Sequence, residues 1–259
     1  MALTSSFSYN RFGRLFIKHT ADHYKTYFMS WAVLIGVLLL GGILFIYALP
    51  DEMNVSFQIT LYVMVMLAAG TIFTSTLFAD YGEKKKSVSA LTLPASHFEK
   101  YLVAWVYSFP LFLIIYTASF YGVLIFLLRL KPGGEHARIF SIIADNPAGF
   151  KIYIVYGLLQ AVSFYGAIHF NKLHFIKTAF AFFITIALMM ISNKYLLGLM
   201  TGQKVRPNVP FGEMRFTEQM HNIVIRTPPH YDWITQYTVI TFILILWVAA
   251  YFRLTEKQV

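Results

Sequence analysis

The chain has 259 residues, of which 58% are hydrophobic, 18% aromatic and only 13% charged, with a mean hydropathy of +0.60. Soluble domains carry about 25% charged residues, so this composition fits lipid as solvent and leaves little material for a water-soluble core. The formal charge of +9 lies mostly beside apolar runs, which points to anionic headgroups and not to nucleic acid; the absence of cysteine excludes disulfides, thiolate metal sites and cysteine nucleophiles.

Residues 1–27 precede the first apolar run. Within them, Arg11, Arg14, Lys18, Asp22 and Lys25 recur at spacings of three and four and share one helical face. Tyr9, Phe12, Phe16, Tyr24 and Tyr27 fall opposite, with Leu15 off the pattern. A basic face opposite an aromatic one predicts a cytoplasmic amphipathic helix over 9–27 lying in the headgroup region, with Arg11, Arg14, Phe16, Lys18 and Lys25 as its anchors. The alternative is a solvated helix packing on a partner protein. The apolar run that follows, from Phe28 to about Leu49, has no small-residue cleavage site and reads as a retained span, not a secretory signal.

Six runs are long enough to cross hydrocarbon, which takes about 20 helical residues. They lie near 28–49, 57–79, 101–128, 150–170, 175–197 and 233–252. Without water inside lipid, each crossing must satisfy its own amides as a helix. Pro110 predicts a kink in the third, freeing a carbonyl one turn earlier. Ala32/Gly36, Ala118/Gly122 and Gly157/Ala161 are small pairs that let helices approach closely. The expected fold is therefore all-α: a polytopic membrane protein with six transmembrane helices over 28–252, an N-terminal interfacial helix and a tail at 253–259.

Lysine and arginine set the orientation. With the N-terminus inside, twelve of the 21 basic residues are cytoplasmic and nine are outside. Lys204, Arg206, Arg215 and Arg226 belong to the long 198–232 loop, which counts for little. Both termini are expected in the cytoplasm, in an inner (cytoplasmic) membrane. Of the outer segments, Asp51–Ser56 is a short turn in which Asn54 matches a glycosylation pattern by chance. Pro132-Gly133-Gly134 and Asn146-Pro147 are turn signals in 129–149. Pro207, Pro210 and Pro228-Pro229 punctuate 198–232, where Phe211, Met214, Phe216 and Ile223–Ile225 predict order against the membrane surface.

No span carries a charge near its middle, where one marks an ion or proton path; this argues against a proton- or sodium-driven transporter. The polar residues within spans are mild: Thr71, Thr74, Ser75, Thr76, Thr117, Ser119, Gln160, Ser163, Thr185 and Gln236, read mostly as helix–helix glue. His169 and His174 are five apart, not the four of a metal pair on one helix face, and read as interfacial packing. His19 and His23 have that spacing, but among lysines and tyrosines. No metal site or cofactor is expected. There is no phosphate-binding loop, serine elbow or pair of intramembrane carboxylates.

Residues 80–100, DYGEKKKSVSALTLPASHFEK, interrupt this scaffold with four lysines, two glutamates, an aspartate and a proline. The block from Phe78 to Lys100, with Glu83 soon after a span and then Leu93-Pro94-Ala95-Ser96 and Glu99-Lys100 opening the next, resembles six-helix ABC transporter permeases of the type-2 export family. It looks most like the short stand-alone permeases of Bacteroidota. Ser87-Val88-Ser89 replaces the family's usual Gly-Thr, and His97 stands where a basic residue is common. The resemblance implies that Tyr81, Glu83, Lys84, Lys85, Lys86, Pro94, Glu99 and Lys100 couple the scaffold to a cytoplasmic ATPase subunit. It implies too that ATP and magnesium bind that partner, and that a second permease copy or a sister subunit completes the transporter. The plainer role of Lys84–Lys86 is to hold the loop at anionic lipid. Two other classes compete: a non-transporting membrane scaffold or sensor, and a lipid-modifying enzyme using His97, His169 or His174 with Glu99.

Overall fold

A chain whose apolar runs must each satisfy their own amides in hydrocarbon is restricted to helices there, and helices are what it forms. The computed structural model describes residues 7–48, 55–77, 96–130, 138–141, 150–170, 173–202, 214–218, 221–225 and 232–256. Six long helices are present: α1 (Tyr9–Ala48), α2 (Val55–Leu77), α3 (His97–Leu130), α4 (Lys151–His169), α5 (His174–Thr201) and α6 (Asp232–Glu256). All six are long and apolar enough to cross a membrane. The protein is an all-α, multi-pass membrane protein, and the helix ends differ from the expected spans by a few residues except at α1.

There the sequence predicts two elements and the structure has one. α1 is a single helix of 40 residues, about 60 Å long at 1.5 Å per residue. Between Tyr24 and Phe28 the composition changes from charged to apolar, but neither glycine nor proline interrupts the chain, so nothing ends the helix there. α1 also runs parallel to α3 along its length. Arg11 meets Glu99, Thr20 meets Tyr107, Trp31 meets Ser119, and Gly42 abuts Leu127. Part of the aromatic face is covered by the protein itself. Phe12, Leu15, Phe16 and Tyr27 pack against a core that includes Leu77, Tyr101, Tyr107 and Phe164, whereas Tyr9 and Tyr24 are exposed. Arg14, Lys18, Asp22 and Lys25 are exposed as well.

The helices alternate in direction, so one end of the bundle gathers the starts of α1, α3 and α5 and the ends of α2, α4 and α6. The core at that end contains Leu77, Tyr101, Ala104, Phe164, Ile168 and Leu254. A second core, with Leu38, Tyr62, Met66, Tyr116, Phe120, Leu127 and Phe140, fills the other end. Beyond α5 a small hairpin interrupts the helical pattern: β1 (Met214–Glu218) pairs antiparallel with β2 (His221–Ile225), Met214 opposite Ile225. It lies in the 198–232 loop expected to be ordered. Asn54, Pro132–Gly134, Asn146, Pro147, Pro207, Pro210, Phe211, Pro228 and Pro229 fall outside the described residues.

Close helix approaches occur, but not at the small pairs expected. A methyl at Gly36 or Gly122 would meet nothing within 4 Å, and at Gly157 only ordinary contacts. The tight sites are Gly42 against Leu127, Gly70 against Tyr156 and Gly166 against Thr178. At Gly166 an added Cβ would fall 2.7 Å from the Thr178 Cβ, an atom fixed to the α5 backbone, so α4 and α5 must separate to admit it. Gly166→Ala is expected to cost about 1–3 kcal/mol, read as a lowered thermal midpoint in detergent. The double variant Gly166→Ala/Thr178→Gly should recover most of the loss.

Candidate functional site

α3 begins with a local sequence signal that fixes its first residue. Ser, two residues, then Glu ahead of an apolar run is a capping box, and Ser96-His97-Phe98-Glu99 forms one. The Ser96 hydroxyl accepts the Glu99 amide at 3.2 Å, and Glu99 Oε2 accepts the Ser96 amide at 2.9 Å. The other oxygen of the same carboxylate, Oε1, accepts the Ser8 amide at 2.9 Å and pairs with Arg11 at 3.2 Å. Glu99 has no exposed surface. A buried carboxylate is tolerated only when fully met by donors and charge, and here both its oxygens are met. One side chain thus closes the start of α3 and ties the start of α1 to it.

Glu99 and Lys100 are both buried, and neither is presented at the surface of this chain; Glu99 positions the start of α3. Nor does Glu99 serve a histidine: its contacts come from Ser8, Ser96 and Arg11, His97 is exposed, and His169 stacks on Tyr165. His174 Nδ1 bonds the Phe170 carbonyl. Tyr81, Glu83, Lys84, Lys85, Lys86 and Pro94 lie outside the described residues. Arg11, counted with the basic face of α1, instead meets Glu99.

About two turns further along α3, α1 and α3 are joined by rings. Tyr107 stacks on Phe16 at 4.8 Å and on Tyr27 at 5.3 Å, and its hydroxyl bonds Thr20. His19 edges onto Tyr107, and its Nε2 bonds the Tyr27 hydroxyl at 2.6 Å. His19 and His23 therefore belong to an aromatic stack. Among the described residues no three His, Asp or Glu side chains gather as a metal set would require.

Above Tyr107 the α-helical pattern gives way. Tyr107–Leu111 is a π-helical turn containing Pro110, the position expected to kink the span. In a π turn each amide bonds the carbonyl five residues back, and Pro110 has no amide to give. The Trp105 carbonyl lies five residues before it, and the Ser108 hydroxyl donates to that oxygen at 3.2 Å. α4 and α6 complete the repair. Tyr156 donates to the Ser108 carbonyl at 2.8 Å, Gln160 Nε2 donates to Ser108 Oγ at 2.8 Å, and Trp247 Nε1 donates to Gln160 Oε1 at 2.9 Å. Ser108, Tyr156 and Gln160 are buried. The result is a polar seam joining three helices at the one irregular turn of α3.

Gln160 was legible as glue, but Ser108 was not singled out. Of the other polar residues, Thr71, Thr74, Thr76 and Thr185 bond carbonyls of their own helices, whereas Thr117 meets Tyr62 and Ser119 accepts from Trp31. Gln58, near the start of α2, clamps a separate segment: its amide donates to the Arg138 carbonyl and its oxygen accepts the Phe140 amide.

No protein-family model, curated protein or solved structure matches this chain.

Glu99→Ala strands two amides and the Arg11 charge at once, and a loss of about 3 kcal/mol is expected. Arg11 keeps 35% of its side chain exposed, so Arg11→Ala should cost only about 1 kcal/mol. Tyr156→Phe is expected to cost about 1 kcal/mol by removing one bond to the seam. Thermal unfolding of the three variants, followed by tryptophan fluorescence in detergent, checks the order.

Proposed function

We propose that this chain is the membrane-spanning permease subunit of an ATP-driven ABC exporter, energised by a separate ATPase subunit that docks on residues 80–100. The observation that carries the reading is the build of α3. The chain leaving 80–95 enters a helix whose first turn is locked by Ser96 and Glu99. That helix continues without a break to Val106 and then meets a π turn. A displacement applied at the start of such a helix is delivered to the hinge-like turn instead of being absorbed by a frayed end.

Under this reading the Glu83–Lys86 segment supplies docking charge on the cytoplasmic face, Pro94 fixes the exit, and Glu99 positions α3. ATP and magnesium bind the partner, since the sequence holds no phosphate-binding loop. Two permease copies, or this chain with a sister subunit, enclose the path. Closure of the ATPases over ATP pushes the start of α3 and opens the helices toward the far side of the membrane. The resemblance of residues 78–100 to the type-2 export family supports the same assignment.

The test is co-expression with a candidate ATPase and replacement of Glu83 and Lys84–Lys86 by alanine. The variant is expected to lose co-purification of the ATPase and at least fivefold of its ATP turnover in liposomes. A retained complex with unchanged turnover overturns docking at this segment. A wild-type complex whose ATP hydrolysis never responds to any cargo favours the scaffold or sensor instead.

A further inference from the structure

The first turns of α3 and the last turns of α6 do not pack flush. Phe98, Tyr101, Leu102 and Trp105 face Leu244, Trp247, Val248, Tyr251 and Phe252 across a groove of about 450 Å³. Every lining side chain is apolar or aromatic. The Tyr101 hydroxyl donates to the Trp247 carbonyl at 2.8 Å, and Trp247 Nε1 is spent on Gln160. An occupant therefore meets mainly rings and methyl groups, and two of the polar atoms beside it, Tyr101 Oη and Trp247 Nε1, are already engaged.

That chemistry narrows what can sit there. Ordered water needs two to four polar partners, and walls of rings and methyl groups supply too few. A polar solute would lose its hydration without replacement. From Leu244 to Phe252 the groove runs about 12 Å along α6. A narrow, flexible hydrocarbon chain fits both the volume and the walls. Leu244, Val248 and Phe252 are half-exposed on the outer face of a helix able to cross the membrane, so the surrounding bilayer brings such chains to the opening.

We infer that the groove between α3 and α6 holds one acyl chain of a bilayer phospholipid. The chain completes the packing of Trp105 against Trp247, whose rings meet edge to face at 5.3 Å, and it keeps the start of α3 apart from α6. The site needs no ATPase and stands independently of the transport reading.

The chain has four tryptophans, so Trp31→Phe/Trp233→Phe leaves Trp105 and Trp247 as reporters. This variant of the full chain is reconstituted in phosphatidylcholine vesicles with bromine at mid-chain, and in the same lipid without bromine. Bromine is expected to lower the fluorescence at least twofold. Adding Leu102→Phe or Val248→Phe, which fills the groove without a new indole, should remove more than half of that quenching. Leu244→Phe replaces either variant that fails to elute as a single species. Fluorescence untouched by bromine overturns the site, because protein then covers the groove. Quenching that the filling variants leave unchanged overturns it too, because bromine then reaches the rings from the outer surface alone.

Discussion

The constraint on which this structure depends is the absence of water in hydrocarbon. Helices answer it for the backbone, but tyrosine hydroxyls and a proline-broken turn still need partners from within the protein. The second lone pair of a carbonyl provides one. Tyr116 donates to the Tyr62 carbonyl, Tyr156 to that of Ser108, Tyr101 to that of Trp247, and Tyr121 to that of Phe140. These bonds join α3 to α2, α4, α6 and the 138–141 segment. α3 takes part in all four, which makes it the element the others are assembled around.

Hydropathy made the number and order of the helices legible, because a run of about 20 apolar residues has only one structure open to it in lipid. It did not reveal how they touch. A pair of small residues four apart is compatible with a close crossing but does not require one: Gly36 and Gly122 face open space, while the isolated Gly166 sits against Thr178. Thr74 and Gln160 look alike as mild polar residues in a span. Thr74 is turned back on the Gly70 carbonyl, and Gln160 bridges two other helices. Side-chain length decides this, since a threonine hydroxyl reaches its own preceding turn more easily than a neighbour.

Two features were available in the sequence and were read otherwise. The unbroken helical pattern across Tyr24–Phe28 was divided where the composition changed, although Phe12, Phe16, Tyr27 and the intervening His19 keep one face through the boundary. Ser96 and Glu99 were read through a family resemblance, whereas their spacing alone specifies a capping box. The additional Arg11 and Ser8 contacts could not be read, because they depend on α1 running parallel to α3 across 91 residues of separation.

That parallel pairing has a mechanical consequence. The start of α3 is bound to α1 through Ser8 and Arg11, both partners of the Glu99 carboxylate, and again through Tyr107 against Phe16, Thr20 and Tyr27. A force arriving at Ser96 cannot swing α3 alone without breaking a buried carboxylate's contacts, a costly step in a low-dielectric interior. Sliding or tilting α1 and α3 together breaks none of them. On its other side α3 meets α6 across an apolar groove and through the bond from the Tyr101 hydroxyl to the Trp247 carbonyl. Toward α4 the polar contacts of α3 converge on the π turn, where Tyr156 and Gln160 of α4 hold the buried Ser108, so α3 is tied to α1 by its first turns and to α4 by its irregular one.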